Sequence, residues 1–380
     1  MRILHVVNVS FVIPYYLGEQ IKYFTDNGNE ISIVCSYNDE LLNLSNKYGF
    51  NYKVIEISRN INILSDIQSL YNLFKYIKKE KFDVVVGHTP KASMLAMITA
   101  FINFTPTRIY IRHGIMYETT FGLKRHILKN IEKITAFFST KVLCVSKSVL
   151  DFSIKNNLSN KRKSIIINNG TCNGVDSKIK FNPRLLDDYL LKEIKSKLHI
   201  NENEFVIGFV GRIVQDKGIT ELVTAWQRLT EKYDNIKLLL IGPLEKRDSI
   251  NETILNKIVN DTTINYIGHI ENTNIYYKLM NVFILPSYRE GFPTVVLEAS
   301  SMELPIITTK ATGCIDSIID NYTGIFCENN YLSIYNCIEK FILNKNLCKI
   351  YGSNGRKFVV DNFDQKIIWK SLIDLYSNDY

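Results

Sequence analysis

The chain has 380 residues, of which 46% are hydrophobic and 22% charged, with a formal net charge of +8. That length exceeds one ordinary core and predicts two domains of a globular protein. The opening MRILHVVNVS reads as a strand and not as a secretory leader, and the longest apolar stretch, ASMLAMITAFINF (92–104), is too short to span a bilayer.

In chain order, the first half alternates short β-rich runs with helical patterns. Strands are predicted at RILHVVNV (2–9), EISIVCS (30–36), YKVIEI (52–57), DVVVGH (83–88), RIYIRH (108–113), KVLCVS (141–146) and SIIINN (164–169). Amphipathic stretches such as ILSDIQSLYNLFKYIKKE (63–80) separate most of them. This alternation implies right-handed parallel crossovers and an open α/β sheet. Turn residues then interrupt the pattern at NNGTCNGVDSKIKFNP (168–183), the expected linker. It resumes with FVIGFVG (205–211), KLLLIGP (237–243), INYIGH (264–269), VFILPS (282–287), PIITT (305–309) and GIFCE (324–328). The expected domains are therefore 1–183 and 184–360, both Rossmann-like and doubly wound, facing across a cleft. A last amphipathic helix within 361–380, carrying Trp369, is expected to pack back on the first domain.

Charge is uneven. Residues 1–185 carry 25 Lys and Arg against 13 Asp and Glu, whereas residues 186–380 carry 21 against 25. The basic half reads either as a solvated surface or as a face for an anionic partner. No nucleic-acid motif accompanies the basic runs, which ranks membrane lipid above nucleic acid. Seven scattered cysteines without a C-x-x-C pair argue for reduced thiols in a cytoplasm and against structural zinc.

Two loops carry chemistry. In GFVGRIVQDKGITELV (208–223) a strand ends at Gly211, and Arg212 and Lys217 follow on one strand-to-helix loop, able to converge on a polyanion. In VFILPSYREGFPTVVLEAS (282–300) Glu290 stands in a loop at a strand's carboxyl end, and Glu298 lies about one and a half turns into the next helix. Pro293 suits that helix's first turn, and the N–H groups of Gly291, Phe292 and Thr294 lie at its positive end. Neither loop is a Walker or a G-x-G-x-x-G pattern. The combination is an anion site flanked by two carboxylates.

These motifs, with GHTPKAS (87–93), RHG (112–114), TTFGLKR (119–125), VLCVSKS (142–148), NNGTCNGVD (168–176) and KATGCIDSIIDNYTGIF (310–326), resemble the retaining GT-B glycosyltransferases of family four. Within that family the resemblance is to the bacterial branch that builds capsule and O-antigen polysaccharides. It implies transfer of a sugar from a nucleoside diphosphate, UDP more than GDP, to a saccharide acceptor linked to polyprenyl diphosphate. Glu298 would hold the ribose hydroxyls and Glu290 the sugar hydroxyls. The Gly291–Thr294 turn would hold the diphosphate, with Arg212 and Lys217 neutralising it. Backbone around Ile270 in GHIENTN (268–274) would meet the base. His113 would sit by the donor sugar. His88, at another strand end with Lys91, reads either as an acceptor contact or as a helix-start hydrogen bonder, and Lys91 and Ser10 are further acceptor candidates.

No D-x-D motif occurs, so no obligatory divalent metal and no cofactor is expected. The first loop, NVSFVIPYY (8–16), lacks the Gly-Gly pair common among relatives, which leaves its donor contacts open. The expected location is the cytoplasm, peripherally on the inner membrane face. The alternatives are a sugar-nucleotide epimerase or phosphorylase of the same architecture, and a non-catalytic nucleotide-sugar-binding subunit of a polysaccharide assembly complex.

Overall fold

A computed structural model of the chain describes residues 1–58, 62–245 and 248–377. Its contacts divide the chain into two compact units, Met1–Gly174 with the chain from Gln365 onward, and Val175–Asp364.

The first unit is built on seven strands: β1 (Arg2–Val6), β2 (Glu30–Cys35), β3 (Asn51–Val54), β4 (Val84–Gly87), β5 (Thr107–Arg112), β6 (Lys141–Cys144) and β7 (Ser164–Ile165). Every pairing is parallel, in the order β3-β2-β1-β4-β5-β6-β7. The second unit holds β8 (Phe205–Val210), β9 (Ile236–Ile241), β10 (Ile264–Gly268), β11 (Val282–Leu285), β12 (Ile306–Thr309) and β13 (Gly324–Cys327), also parallel, in the order β10-β9-β8-β11-β12-β13. Parallel sheets are covered on both faces, so their central strands read as unbroken apolar runs. All residues of β4, β8, β11 and β12 are buried. The edge strand β3 instead exposes Asn51, Tyr52 and Lys53, which blunts that edge.

The thirteen predicted strands are all present, and most are shorter at their carboxyl ends. RILHVVNV ends as a strand at Val6, and SIIINN keeps only two paired residues, because the chain leaves the ladder there to form loops. The helix expected at 63–80 is found over Ile63–Glu80. Asn62 caps it by accepting from the Ser65 N–H at 3.2 Å.

The break expected at 183 lies earlier, at Gly174–Val175. The Val175 N–H donates to the Phe363 carbonyl (2.9 Å) and Ser177 Oγ donates to Asp364 Oδ2 (2.7 Å), tying residues 175–183 into the second unit. The last helix is Gln365–Ser377, since residue 361 still belongs to the helix Lys345–Asn362. It is part of the first unit, where Trp369 meets Tyr23 (ring centroids 5.4 Å) and donates Nε1–H to Asn173 Oδ1 at 2.8 Å.

Candidate functional site

An open α/β sheet leaves a crevice where strand order reverses, beyond the carboxyl ends of the strands on either side. In the second unit the reversal lies between β8 and β11. The loop after β8 forms a 3-10 turn, Gln215–Lys217, closed by Gly218 in the left-handed region (φ 72°). A Cβ on Gly218 would stand 2.2 Å from the Pro286 carbonyl oxygen, so only glycine lets this loop approach the one after β11. There Lys217 Nζ pairs with Glu290 Oε1, and Ser287 Oγ donates to the same oxygen at 2.8 Å. Both charged side chains are about 85% enclosed, at 15% and 14% exposure. Arg289 pairs with Asp216 at 2.8 Å, bracing the two loops from the side.

Glu290 is also held by its backbone, whose N–H donates to the Thr312 carbonyl at 2.8 Å. The next residue, Gly313 (φ 81°), sits so near that a Cβ would lie 2.5 Å from the Gly291 oxygen. The helix that follows is Thr294–Ser301, one residue later than expected. Pro293 is its extended N-cap (φ −77°, ψ 94°), and its carbonyl accepts from the Val296 N–H at 2.9 Å. The orphan N–H groups at this helix start lie beside Glu290 in sequence. Glu298 reaches the buried Tyr277, whose hydroxyl donates to Oε2 at 2.8 Å. Burial pushes the Glu298 carboxyl up to about 7, against the opposing pull of the Tyr277 hydrogen bond and Lys180.

Arg212 does not join Lys217 here. It is exposed and pairs with Glu245 at 2.9 Å, so each cation carries its own carboxylate. Gly211 (φ 154°) follows β8 immediately before it, and Ile270 is partly buried against the core in the loop after β10. Phe292 stacks at a tilt on Phe363 at 5.2 Å, which anchors the turn.

In the first unit the reversal lies between β1 and β4. His88 follows β4 and His113 follows β5, and the structure links them, His88 Nδ1 to His113 Nε2 at 3.1 Å. His88 Nε2 meets His5 Nδ1 at 2.8 Å, and His113 Nδ1 meets Cys172 Sγ at 3.6 Å. His88, expected to reach an acceptor, is instead buried with both ring nitrogens engaged. Ser10 is buried as well, because residues 10–12 form a 3-10 turn where an open loop was expected. Lys91 pairs with Asp66 at 2.5 Å and donates to Ser58 Oγ at 3.0 Å. Ser287, Tyr277, Tyr16, His5 and Cys172 were not singled out in the sequence, since their partners are set by the fold, and Gly313 was not singled out either. Gly313 lay inside a quoted motif, KATGCIDSIID, and was legible there.

Comparison with known proteins places this architecture in a class. A family model described as Glycosyltransferase Family 4 matches residues 14–172, and one described as Glycosyl transferases group 1 matches residues 192–358. The chain belongs to the family-four glycosyltransferases of the GT-B fold. It is 38% identical over 377 residues to the capsular polysaccharide biosynthesis glycosyltransferase CapM of Staphylococcus aureus, covering 99% of this chain and 97% of that one. It is 26% identical to the Escherichia coli UDP-Gal:alpha-D-GlcNAc-diphosphoundecaprenol alpha-1,3-galactosyltransferase, over 91% of this chain and 88% of that one. Among solved structures, Anabaena Alr3699/HepE in complex with UDP-glucose matches with a TM-score of 0.82 at 16% identity, over 100% of both chains. A glycosyltransferase from Rickettsia africae also matches at 0.82, with 21% identity over 100% of this chain and 98% of that one.

Proposed function

We propose that the protein is a retaining, metal-independent glycosyltransferase of surface-polysaccharide assembly. It would move a sugar from a UDP-sugar to a saccharide on polyprenyl diphosphate. The observation that carries this reading is the Lys217–Glu290–Ser287 cluster at the switch point of the second unit, beside a helix N-terminus. Breaking the anomeric C–O bond leaves an oxocarbenium-like sugar and growing negative charge on the departing nucleoside diphosphate. A preorganised lysine and the helix-opening N–H groups stabilise that charge where it forms. The motif order supports Glu290 as the sugar contact and Glu298 as the ribose contact. The CapM relative supports a role in capsule synthesis, and the diphosphoundecaprenol acceptor of the E. coli relative supports a lipid-linked substrate.

The surface of the first unit suits such an acceptor. On the helix Gly122–Phe138, Leu123, Ile127, Ile134 and Phe137 are exposed and fall within about an 80° arc at 100° per residue. Lys124 and Lys133 border that stripe on opposite sides, and exposed Phe101 and Phe104 extend it from the neighbouring helix end. An apolar stripe flanked by lysines fits the interface of an anionic bilayer. Among the described residues no helix is long and apolar enough to cross a membrane.

The test is transfer from a panel of nucleotide sugars to a polyprenyl-diphosphate saccharide held in vesicles. The expected product keeps the donor's anomeric configuration by NMR, forms equally with EDTA present, and forms faster on anionic than on neutral vesicles. An inverted linkage would reject retention, loss of transfer in EDTA would reject metal independence, and equal rates on both vesicles would reject membrane docking.

Glu298 adds a pH dependence. Only its carboxylate can accept from both ribose hydroxyls, and the group is half protonated near pH 7. Donor affinity should therefore fall about tenfold between roughly pH 8 and pH 6, as the ionised fraction falls. Isothermal titration of the donor across that range measures it, and Glu298→Gln should flatten the profile.

A further inference from the structure

The histidine chain in the first unit follows from sheet register. His5 is paired with Val86, and Val86 with Ile109. His88 lies two residues beyond Val86, and His113 four beyond Ile109. Each histidine thus steps two residues towards the carboxyl end on moving one strand across. Side chains two apart share a face, so the three rings form a diagonal stair on one side of β1, β4 and β5. Ring centroids are 5.1 Å apart for His5 and His88 and 5.3 Å for His88 and His113. The stair begins at the β1–β4 reversal. Its last ring is covered by Tyr16, stacked on His113 at 3.7 Å and 10°.

His113 is therefore held on its face by Tyr16 and on Nε2 by His88. Its third contact, Nδ1 to the Cys172 sulfur at 3.6 Å, is the weak one and the one an incoming hydroxyl can replace. The protons on this chain are constrained. A neutral imidazole carries one N–H, so each ring that accepts on one nitrogen must donate from the other. Burial leaves Cys172 a thiol, a hydrogen donor, raising it to about 12, and the same burial holds His5 and His113 neutral, down to about 3. A thiol donating to His113 Nδ1 requires the proton of His113 on Nε2, donated to His88 Nδ1. His88 Nε2–H then donates to His5 Nδ1. The titratable groups that face the rings are one another, Cys172, Tyr16 and Tyr376, whose ring lies 6.4 Å from His5.

We propose that His88, backed by His5, is a positioning residue that locks His113 as the Nε2–H tautomer, so that His113 presents Nδ1 as an acceptor for a sugar hydroxyl. The proposal rests on the glycosyltransferase reading for its ligand, but the tautomer is a property of the free protein. Long-range 1H–15N NMR of histidine-labelled protein reads it directly, with His113 assigned from the signals lost in His113→Asn. The expected wild-type result is one pyridine-type Nδ1 and one pyrrole-type Nε2, constant between about pH 5 and 8. His88→Phe keeps a ring and removes the hydrogen bonds. It should mix the two His113 tautomers and lower kcat/KM about tenfold, while burial still keeps the ring neutral. His88→Gln, whose amide can still accept, should restore part of the wild-type signature. His5→Phe, one ring further away, should give a smaller shift in the same direction and serves if His88→Phe does not fold. A protonated Nδ1 in the wild type, or wild-type His113 signals in the folded Phe variants, would overturn the proposal. Absence of sugar transfer by the wild type would overturn the glycosyltransferase reading alone, leaving the NMR result to stand.

Discussion

Lys217→Ala is expected to lower kcat for sugar transfer by about 10²–10³-fold, the range seen when one preorganised donor to a developing anion is removed. Lys217 has no slack to be replaced by a neighbour. Its turn is pinned by Gly218 against the Pro286 carbonyl, and its ammonium sits on the Glu290 oxygen that also accepts from Ser287. Arg212 cannot stand in, because it is exposed and paired to Glu245. Arg212→Ala should accordingly cost only on the order of tenfold, as loss of a solvated charge does. Glu290→Ala should match Lys217→Ala in severity. The double variant should be little worse than either, because the two side chains share one interaction. Single-turnover transfer with saturating donor measures all four proteins. Near-normal turnover of Lys217→Ala with unchanged melting would remove the site from this loop pair.

Glu132→Ala is expected to destabilise the first unit by about 3–5 kcal/mol, the cost of stranding a buried charge. Arg112, at the end of β5, is fully buried and donates Nε–H to Glu132 Oε2 at 2.8 Å. Tyr110 donates its hydroxyl to both Glu132 oxygens, at 2.8 and 2.9 Å, and Arg112 Nη1 reaches Ser159 at 3.1 Å. Removing the carboxylate leaves the guanidinium without its counter-charge and the phenol without its acceptor in a dry interior. For a unit of this size that corresponds to a melting shift of roughly 6–20 °C. Replacing the whole group at once, Arg112→Met with Glu132→Leu and Tyr110→Phe, should recover most of the loss, since desolvation of the charges disappears with them. Calorimetry that found Glu132→Ala within about 1 kcal/mol of wild type would contradict this. The pair also links β5, whose next residue is His113, to the helix Gly122–Phe138 that bears the exposed apolar stripe.

Strand positions were legible because parallel strands buried on both faces must be apolar throughout, and no helix period fits runs such as VVVG or VFIL. The Glu290–Glu298 spacing was legible for a related reason: both residues lie on one strand–loop–helix segment, where local geometry and motif spacing coincide. Lys217 and Glu290 could each be singled out, but not their pairing, since they are 73 residues apart and meet only because β8 and β11 are neighbours at the reversal. His88 shows the opposite error. At a strand end it reads as an acceptor contact or a helix-start hydrogen bonder, yet the stagger of β1, β4 and β5 lays one ring on the next and buries it. Local pattern thus determined the alternation of elements, the two-domain plan and the residue types of the loops after β8 and β11. Strand order and register decided which of those residues meet, because contacts between distant segments depend on loop closure and sheet pairing that no short window of sequence encodes.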